Sequence, residues 1–135
     1  MNAIKLTHSI AVAGQIGLEQ IPQIAAAGYK VLVNNRPDGE EPGQPGSALV
    51  EAAALAAGLE YHHLPVTAMD FPGADVATMT SLFDDESRPL FAFCRTGTRC
   101  TNLWVATRSG DELRQAMEHA RALGYDLGMA ARVLP

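Results

Sequence analysis

The sequence predicts an α/β domain built on a mainly parallel sheet, and three observations support that fold class. Short apolar segments at Ile10–Ala13, residues 29–33 and Leu90–Phe93 have the composition of strands buried on both faces. Residues 18–27, between the first two, have the apolar spacing of a helix, and Gly28 ends that helix. Strands and helices that alternate along a chain indicate a parallel sheet covered on both sides.

The rest of the chain continues this alternation. Ser47 is a predicted N-cap for an alanine-rich helix that runs to about Ala57, and residues 60–66 are the next predicted strand. Asp75 is a predicted N-cap for a helix that ends near Phe83. Beyond the third apolar strand, helices are predicted over residues 102–108, 111–123 and 127–133.

Size and charge limit what the chain can be. Its 135 residues, 47% of them hydrophobic, predict one globular domain over residues 1–135 with a single core. The net charge of −5 and the absence of a Lys/Arg-rich block exclude nucleic acid and an anionic membrane surface as expected partners. No apolar run approaches the ~20 residues of a membrane-spanning helix, and we expect a cytoplasmic protein. Two cysteines form no disulfide framework, so a catalytic or redox use is favoured.

Residues 91–100, Phe-Ala-Phe-Cys-Arg-Thr-Gly-Thr-Arg-Cys, have the layout of an anion-binding loop. An apolar run ends in Cys94, small residues follow, and Arg99 closes the loop. The small residues are Thr96, Gly97 and Thr98. Their backbone N–H groups can turn towards one centre, and the helix predicted from Thr101 onwards adds its positive N-terminal end.

Cys94 is the predicted nucleophile of this loop. Beside a helix N-terminus and a guanidinium, the pKa of a cysteine falls from ~8.5 to roughly 3.5–7.5, so Cys94 is expected to be a thiolate at neutral pH. An isolated cysteine at a strand end would instead be interpreted as a buried apolar residue. The attached Arg-Thr-Gly-Thr-Arg sequence favours the functional interpretation, and we predict a cysteine-nucleophile enzyme.

Three loops are expected at the carboxyl edge of the sheet, where parallel sheets bind ligands: residues 34–46, 67–74 and 94–99. The expected ligand is a small anion. Arg95 is predicted to point either to solvent or to the substrate. Arg36, at the end of a strand, is predicted either to help bind the anion or to form an ion pair with Asp38. His62 and His63 lack a third ligand at zinc spacing, so we predict no metal, and nothing indicates a cofactor.

Three stretches together resemble one family. They are residues 28–40, residues 59–66, and the Cys-Arg-Thr-Gly-Thr-Arg loop followed by Leu103 and Trp104. These look like the phosphatase-like domain of the β-lactamase-hydrolase-like proteins, bacterial relatives of the dual-specificity protein tyrosine phosphatases. The resemblance runs from Gln15 to about Arg108. It implies a three-layer protein tyrosine phosphatase-like fold, and a link to sulfide and persulfide metabolism through partner domains fused in some members.

The resemblance also implies roles for three residues. Cys94 would attack the phosphorus of a phosphate ester and form a phosphocysteine, while Arg99 would hold the phosphoryl oxygens. Asp70, on the loop after the strand that ends in Leu-Pro-Val, would protonate the leaving oxygen. A loop carboxylic acid can supply about 10²–10⁴ in rate in this way. The structural alternative for Asp70 is a turn-forming loop residue.

The spacing of the loop departs from the phosphatase pattern. Phosphatase loops place five residues between cysteine and arginine, whereas four separate Cys94 from Arg99, and Cys100 occupies the usual arginine position. The shorter loop resembles that of rhodanese-type sulfurtransferases, so the alternative function is transfer of sulfane sulfur as a Cys94 persulfide. A non-catalytic anion-binding module is the second alternative. Cys100 is either a redox partner that resolves an oxidised or persulfidated Cys94, or a small core residue.

Overall fold

The computed structural model describes all 135 residues, which form a five-stranded sheet and six α-helices. The strands are β1 (Ile4–Thr7), β2 (Ile10–Ala13), β3 (Val31–Asn34), β4 (Glu60–His63) and β5 (Leu90–Phe93). The helices are α1 (Ile21–Ala26), α2 (Ser47–Ala56), α3 (Val76–Asp84), α4 (Thr98–Ala106), α5 (Gly110–Ala122) and α6 (Gly128–Val133). None of these helices combines the length and hydropathy needed to cross a bilayer.

The sheet has the strand order β1-β2-β5-β3-β4 and is mainly parallel, as predicted. Only the pairing of β1 with β2 is antiparallel, while β2 with β5, β5 with β3, and β3 with β4 are parallel pairs. The carboxyl ends of four strands therefore lie at one edge of the sheet. Because β5 is flanked on both sides, the cysteine loop that follows it starts from the middle of that edge.

The sheet separates two helical layers, which gives the predicted three-layer architecture. The side chains of Leu90 and Ala92 belong to a core cluster shared with α3, α4, α5 and α6. Those of Phe91 and Phe93 belong to the second cluster, shared with α1 and α2. Alternate residues of a strand point to opposite faces, so all four residues of β5 are buried. The apolar segments predicted to be buried on both faces have this arrangement.

The start of α4 differs from the prediction. We expected this helix from about residue 101 or 102, but it begins at Thr98, with Gly97 as its N-cap at a φ of 87°. Glycine reaches this left-handed conformation at little cost, so the loop turns sharply and enters the helix early. Thr98 and Arg99 consequently lie in the first helical turn.

Further differences lie away from the cysteine loop. The strand predicted over residues 60–66 ends at His63, and residues 18–20 form a short 3-10 helix ahead of α1 where one helix over 18–27 was predicted. The strand β1 was not predicted, since only Leu6 of its four residues is buried and it exists through pairing with β2. The N-cap of α2 is Gly46 where Ser47 was predicted, and Ser47 is the first helical residue. Its backbone N–H donates to Asp38 Oδ1 at 2.8 Å, which satisfies one of the free donors at the helix start.

Candidate active site

The cysteine loop folds back over the sulfur of Cys94. Cys94 directly follows β5 and is fully buried, and its backbone N–H donates to the Ala13 carbonyl at 3.2 Å. Three residues later, the backbone N–H of Gly97 lies 3.1 Å from Cys94 Sγ. The sulfur therefore lies on the floor of a tight turn whose N–H groups point inward, at the N-terminus of α4.

This environment favours the thiolate form of Cys94. Its pKa is lowered to about 5, first by a hydrogen bond from the Cys100 side chain, then by backbone N–H groups of Cys100 and Thr96 and by the charge of Arg99. Burial opposes this shift, but the donors outweigh it. Burial, followed by the hydrogen bond with Cys94, raises the pKa of Cys100 well above 9.0. The opposite directions of the two pKa shifts favour a thiolate at Cys94 and a thiol at Cys100.

Arg99 is held end-on by a carboxylate. Its Nη1 and Nη2 donate to the two carboxylate oxygens of Glu40 at 2.8 and 2.7 Å, and Nη1 also donates to the Val66 carbonyl at 2.9 Å. The Arg99 side chain is only 12% exposed. Glu40 stays ionised, because hydrogen bonds and charge from Arg99 and Arg36 hold its pKa at about 2.

Arg36 lies behind the site and contacts carboxylates other than the predicted one. Its side chain is 3% exposed, with Nε donating to Glu40 at 2.8 Å and Nη2 to Glu41 at 2.7 Å. Its Nη1 donates to Gln15 Oε1 at 2.9 Å. The predicted ion pair with Asp38 is wrong, because the Asp38 carboxylate instead caps α2. Every guanidinium nitrogen of Arg36 has a protein acceptor.

Arg95 lies at the mouth of the loop. Its side chain is 60% exposed, and its Nε lies 2.9 Å from Glu41 Oε1. Its carbonyl accepts a hydrogen bond from the Gln15 backbone at 3.2 Å. A Cβ on Gly14 would lie 3.0 Å from that carbonyl, so the glycine lets the segment after β2 approach the cysteine loop closely.

The predicted loops meet around an open depression of about 460 Å³ above the cysteine loop. Its lining residues are Glu40, Thr67, Ala68, Arg95, Thr96, Thr98, Arg99 and Met129. They come from the loops after β3 and β4, from the cysteine loop with the first turn of α4, and from α6. The Thr96 hydroxyl donates to that of Thr98 at 3.0 Å. No aromatic side chain lines this depression, which suits a small anionic group better than a stacked ring.

Asp70 forms a turn at the tip of the loop after β4. Its Oδ1 accepts hydrogen bonds from the Thr67 backbone N–H at 2.7 Å and from the Thr67 hydroxyl at 3.0 Å. These bonds lower the pKa of the exposed Asp70 carboxyl, the backbone N–H more than the hydroxyl. The structure thus places Asp70 three residues from Thr67, which lines the depression, but Asp70 itself is not part of the lining.

Sequence reasoning missed the two acidic residues of the site. Glu40 and Glu41 bridge Arg36 to the arginines of the cysteine loop, although a search for an anion site favours basic residues. The four-residue spacing of Arg36 and Glu40 in the sequence was the feature that could have indicated their ion pair. No group of three or more His, Cys, Asp or Glu residues is arranged to hold a metal ion.

Comparison with known proteins agrees with this geometry. A family model described as the phosphatase-like domain of beta-lactamase hydrolase-like protein matches residues 3–111. A beta-lactamase hydrolase-like protein of Agrobacterium fabrum is 35% identical over 99% of this chain, and one of Xylella fastidiosa is 32% identical over 96%. The chain spans about a third of the length of these curated relatives, 32% and 31%.

Solved structures show the same fold. The crystal structure of a candidate phosphatase from Neisseria meningitidis Z2491 superimposes with a TM-score of 0.77 and is 35% identical, covering 96% of this chain and 94% of the other. The active form of the phosphatase Tk-PTP superimposes with a TM-score of 0.74 at 18% identity, covering 97% and 92% of the two chains. At that identity, the second likeness concerns the fold alone.

Proposed function

The chain belongs to the phosphatase-like domain family of the beta-lactamase hydrolase-like proteins, and on that basis we propose that it is a cysteine-dependent phosphatase-like hydrolase. One observation carries the proposal: the Cys94 sulfur lies 3.1 Å from the backbone N–H of Gly97 at the start of α4, an environment that lowers its pKa to about 5. The same donors that stabilise the thiolate would stabilise the oxygens of a bound phosphoryl group.

The proposed reaction has two steps. The Cys94 thiolate attacks the phosphorus of a phosphate ester in line with the leaving oxygen, so a sulfur–phosphorus bond forms as the oxygen–phosphorus bond breaks. The leaving alkoxide takes a proton from the carboxylic acid of Asp70. Water then attacks the phosphocysteine, its proton returns to Asp70, and phosphate leaves as the Cys94 thiolate is regenerated. Arg99 and the N–H groups of the loop hold the phosphoryl oxygens throughout.

Asp70 is the proposed acid because it lies on the loop that lines the depression, next to the lining residues Thr67 and Ala68. The hydrogen bonds from Thr67 favour its ionised form, so proton donation requires the carboxyl to leave Thr67. Proton donation by Asp70 matters most for a poor leaving group, which cannot depart as an anion. A substrate with a good leaving group needs little help from Asp70.

The proposed substrate is a small phosphate ester. The Pseudomonas aeruginosa protein TpbA, which shares the fold with a TM-score of 0.68, has been crystallised with phosphotyrosine. In this chain, the depression lacks aromatic side chains, so recognition would rest on the phosphoryl group. We also propose a cytoplasmic location, since both cysteines are free and the reaction needs a reduced Cys94.

Turnover of p-nitrophenyl phosphate tests the proposal. Wild-type protein should release p-nitrophenol and Cys94→Ser should release none, because a serine hydroxyl in this loop is not ionised. Cys100→Ser is the comparison variant: it retains Cys94 and a hydrogen-bond donor beside it, so it should still release p-nitrophenol. Absence of wild-type turnover above a protein-free blank, or full turnover by Cys94→Ser, would overturn the proposal.

A sulfurtransferase is the second candidate, and the position of Cys100 favours it. Arg99 follows Cys94 after four residues, and a thiol stands where phosphatases have the arginine. Cys94 would attack the outer sulfur of thiosulfate, forming a persulfide as sulfite leaves, and would then pass that sulfur to an acceptor thiol. Intact-mass analysis after incubation with thiosulfate would detect one added sulfur atom, and Cys94→Ala would lose it.

The same measurements define the third candidate, a non-catalytic anion-binding module. Such a module would bind phosphate or sulfate through the cysteine loop, with no turnover of p-nitrophenyl phosphate and no sulfur accepted from thiosulfate. Turnover or persulfide formation at Cys94 would exclude it.

A further inference from the structure

We propose that Arg36 is a positioning residue, which acts through Glu40 and Glu41 to fix both arginines of the cysteine loop and leave one edge of Arg99 free for an oxyanion. The assignment rests on the proposed function only in taking the ligand to be a phosphoryl group. It differs from the prediction that Arg36 itself binds the anion, because each nitrogen of the Arg36 guanidinium already donates to a protein acceptor.

Arg36 is itself held rigidly. Its backbone N–H donates to Asn34 Oδ1 at 2.9 Å, and its carbonyl is 2.8 Å from His63 Nε2. Asn34 ends β3 and His63 ends β4, two neighbouring strands of the sheet. With its side chain 3% exposed, Arg36 is a buried extension of the sheet. Because the Arg36 backbone is fixed, its guanidinium can hold the side chains that it contacts in fixed positions.

Two carboxylates connect Arg36 to the cysteine loop. Glu40 Oε1 accepts from Arg36 Nε at 2.8 Å and from Arg99 Nη2 at 2.7 Å. Glu41 Oε1 accepts from Arg36 Nη2 at 2.7 Å and lies 2.9 Å from Arg95 Nε. Consecutive glutamates thus bridge one buried arginine to both arginines of the loop.

The third connection runs through Gln15. Its side chain accepts from Arg36 Nη1 at 2.9 Å, while its backbone N–H donates to the Arg95 carbonyl at 3.2 Å. Each nitrogen of the Arg36 guanidinium thus contacts a residue that in turn contacts the cysteine loop. Together these contacts restrain the backbone and both arginine side chains of the loop.

The donors of Arg99 show why Glu40 positions the guanidinium and leaves room for an anion. A guanidinium has five N–H donors in a fixed plane. Glu40 takes one from each Nη, and the Val66 carbonyl takes the second from Nη1. The Nε–H and the second Nη2 hydrogen remain. These two point in the same direction along one side of the guanidinium and match two oxygens of a phosphoryl group.

Charge balance supports the same role. The two glutamates place negative charge between Arg36, Arg95 and Arg99, which would otherwise repel one another. Arg36 is the most buried member of this network, so removing its guanidinium would leave Glu40 and Glu41 without their inner partner, which is costly. Lysine cannot replace Arg36, because one ammonium group lacks the planar fork that reaches three acceptors in fixed directions.

Binding of inorganic phosphate, measured by isothermal titration calorimetry, tests this assignment without requiring turnover. The variants are Arg36→Lys and Glu40→Gln, and the matched control is Arg88→Lys, an arginine that bridges Glu60 and Asp85 at the opposite end of β5. We expect both site variants to weaken phosphate binding by roughly tenfold or more, through loss of an oriented bidentate contact. The control should bind as wild type does.

A second readout separates positioning from loss of the fold. The Cys94 pKa of about 5 depends first on Cys100, so a folded variant should keep a low value even when phosphate binds weakly. Wild-type affinity in Arg36→Lys, or tighter binding by Glu40→Gln, would overturn the assignment, the latter by showing that Glu40 competes with the anion. Phosphate binding that depends on Arg36 in a protein without turnover would retain the assignment and refute the hydrolase. A wild-type protein that binds no phosphate would overturn the assignment.

Discussion

The backbone N–H of Gly97 lies 3.1 Å from the sulfur of Cys94, so the N-cap residue of α4 also donates a hydrogen bond to the proposed nucleophile. Gly97 does this with a φ of 87°, which turns its N–H inward. Gly97 therefore contributes both to the start of α4 and, beside the leading contribution of Cys100, to the hydrogen bonding of the Cys94 sulfur.

Gly97→Ala should damage both the stability and the site. A residue other than glycine in this conformation costs about 1–2 kcal/mol, and the new Cβ would lie 3.4 Å from both Ala13 and the Tyr125 hydroxyl. The matched control is Gly58→Ala, with a φ of 81° and no atom within 4 Å of the new Cβ. Thermal melts should show destabilisation in both, but only Gly97→Ala should raise the Cys94 pKa. An unchanged Cys94 pKa in Gly97→Ala would show that Gly97 does not stabilise the thiolate.

Cys100 should set the ionisation of Cys94. A pH titration of thiolate ultraviolet absorbance, taken as the difference between wild type and Cys94→Ala, should give a midpoint of about 5. Because the pKa is lowered, the thiolate is present above that pH and is lost as pH falls through it. Cys100→Ala removes the leading cause of the shift and should move the midpoint towards 9.0, whereas Cys100→Ser keeps a donor and should move it less. A wild-type midpoint retained in Cys100→Ala would contradict this.

Hydrogen peroxide should join Cys94 to Cys100. The Cys94 thiolate attacks a peroxide oxygen, giving a sulfenic acid and hydroxide, and the Cys100 thiol then attacks that sulfur, forming the disulfide and releasing water. Both cysteines are free and buried, and the interaction between their side chains that lowers the pKa of Cys94 and raises that of Cys100 brings the two thiols into one environment. Peptide mapping should find the disulfide in wild type and over-oxidised Cys94 in Cys100→Ser. Over-oxidised Cys94 beside a freely alkylated Cys100 in wild type would make Cys100 a core residue only.

The sequence predicts the sheet and the cysteine loop better than it predicts their connections. The apolar run of β5 and the small residues after Cys94 are local signals, and both lead to the observed arrangement. The start of α4 is harder to predict, because Thr98 and Thr101 are β-branched and disfavour a helix. Thr101 Oγ donates to the Gly97 carbonyl at 2.9 Å, a contact that exists only once the turn has formed.

The ion pairs of Arg36 with Glu40 and Glu41 could not be predicted without knowledge of the fold. Arg36 has acidic residues two, four and five positions later, and local spacing does not decide among them. Asp38 is taken by the N-terminus of α2, which leaves Glu40 and Glu41 for the arginines. The edge strand β1 shows the same limitation, since its pairing with β2 defines it more than its composition does.

Replacing Asp70 should slow hydrolysis most for substrates whose leaving group needs a proton. Asp70→Asn should slow hydrolysis of an alkyl phosphate by about 10² or more and should change p-nitrophenyl phosphate turnover much less. Asp75→Asn, at the N-cap of α3, is the matched control on the same loop, and should leave the ratio of the two rates unchanged. Equal effects of Asp70→Asn on the two substrates would contradict a role as general acid and would leave Asp70 as a residue that forms the turn with Thr67.

The phosphocysteine is the central claim, and rapid acid quenching followed by peptide mass spectrometry tests it most directly. Wild-type protein mixed with p-nitrophenyl phosphate and quenched during turnover should yield the peptide containing Cys94 with one added phosphoryl group, and Cys94→Ala should yield none. Turnover by wild type with the phosphoryl group on another residue, or with no phosphoryl group on the protein at any quench time, would contradict the account.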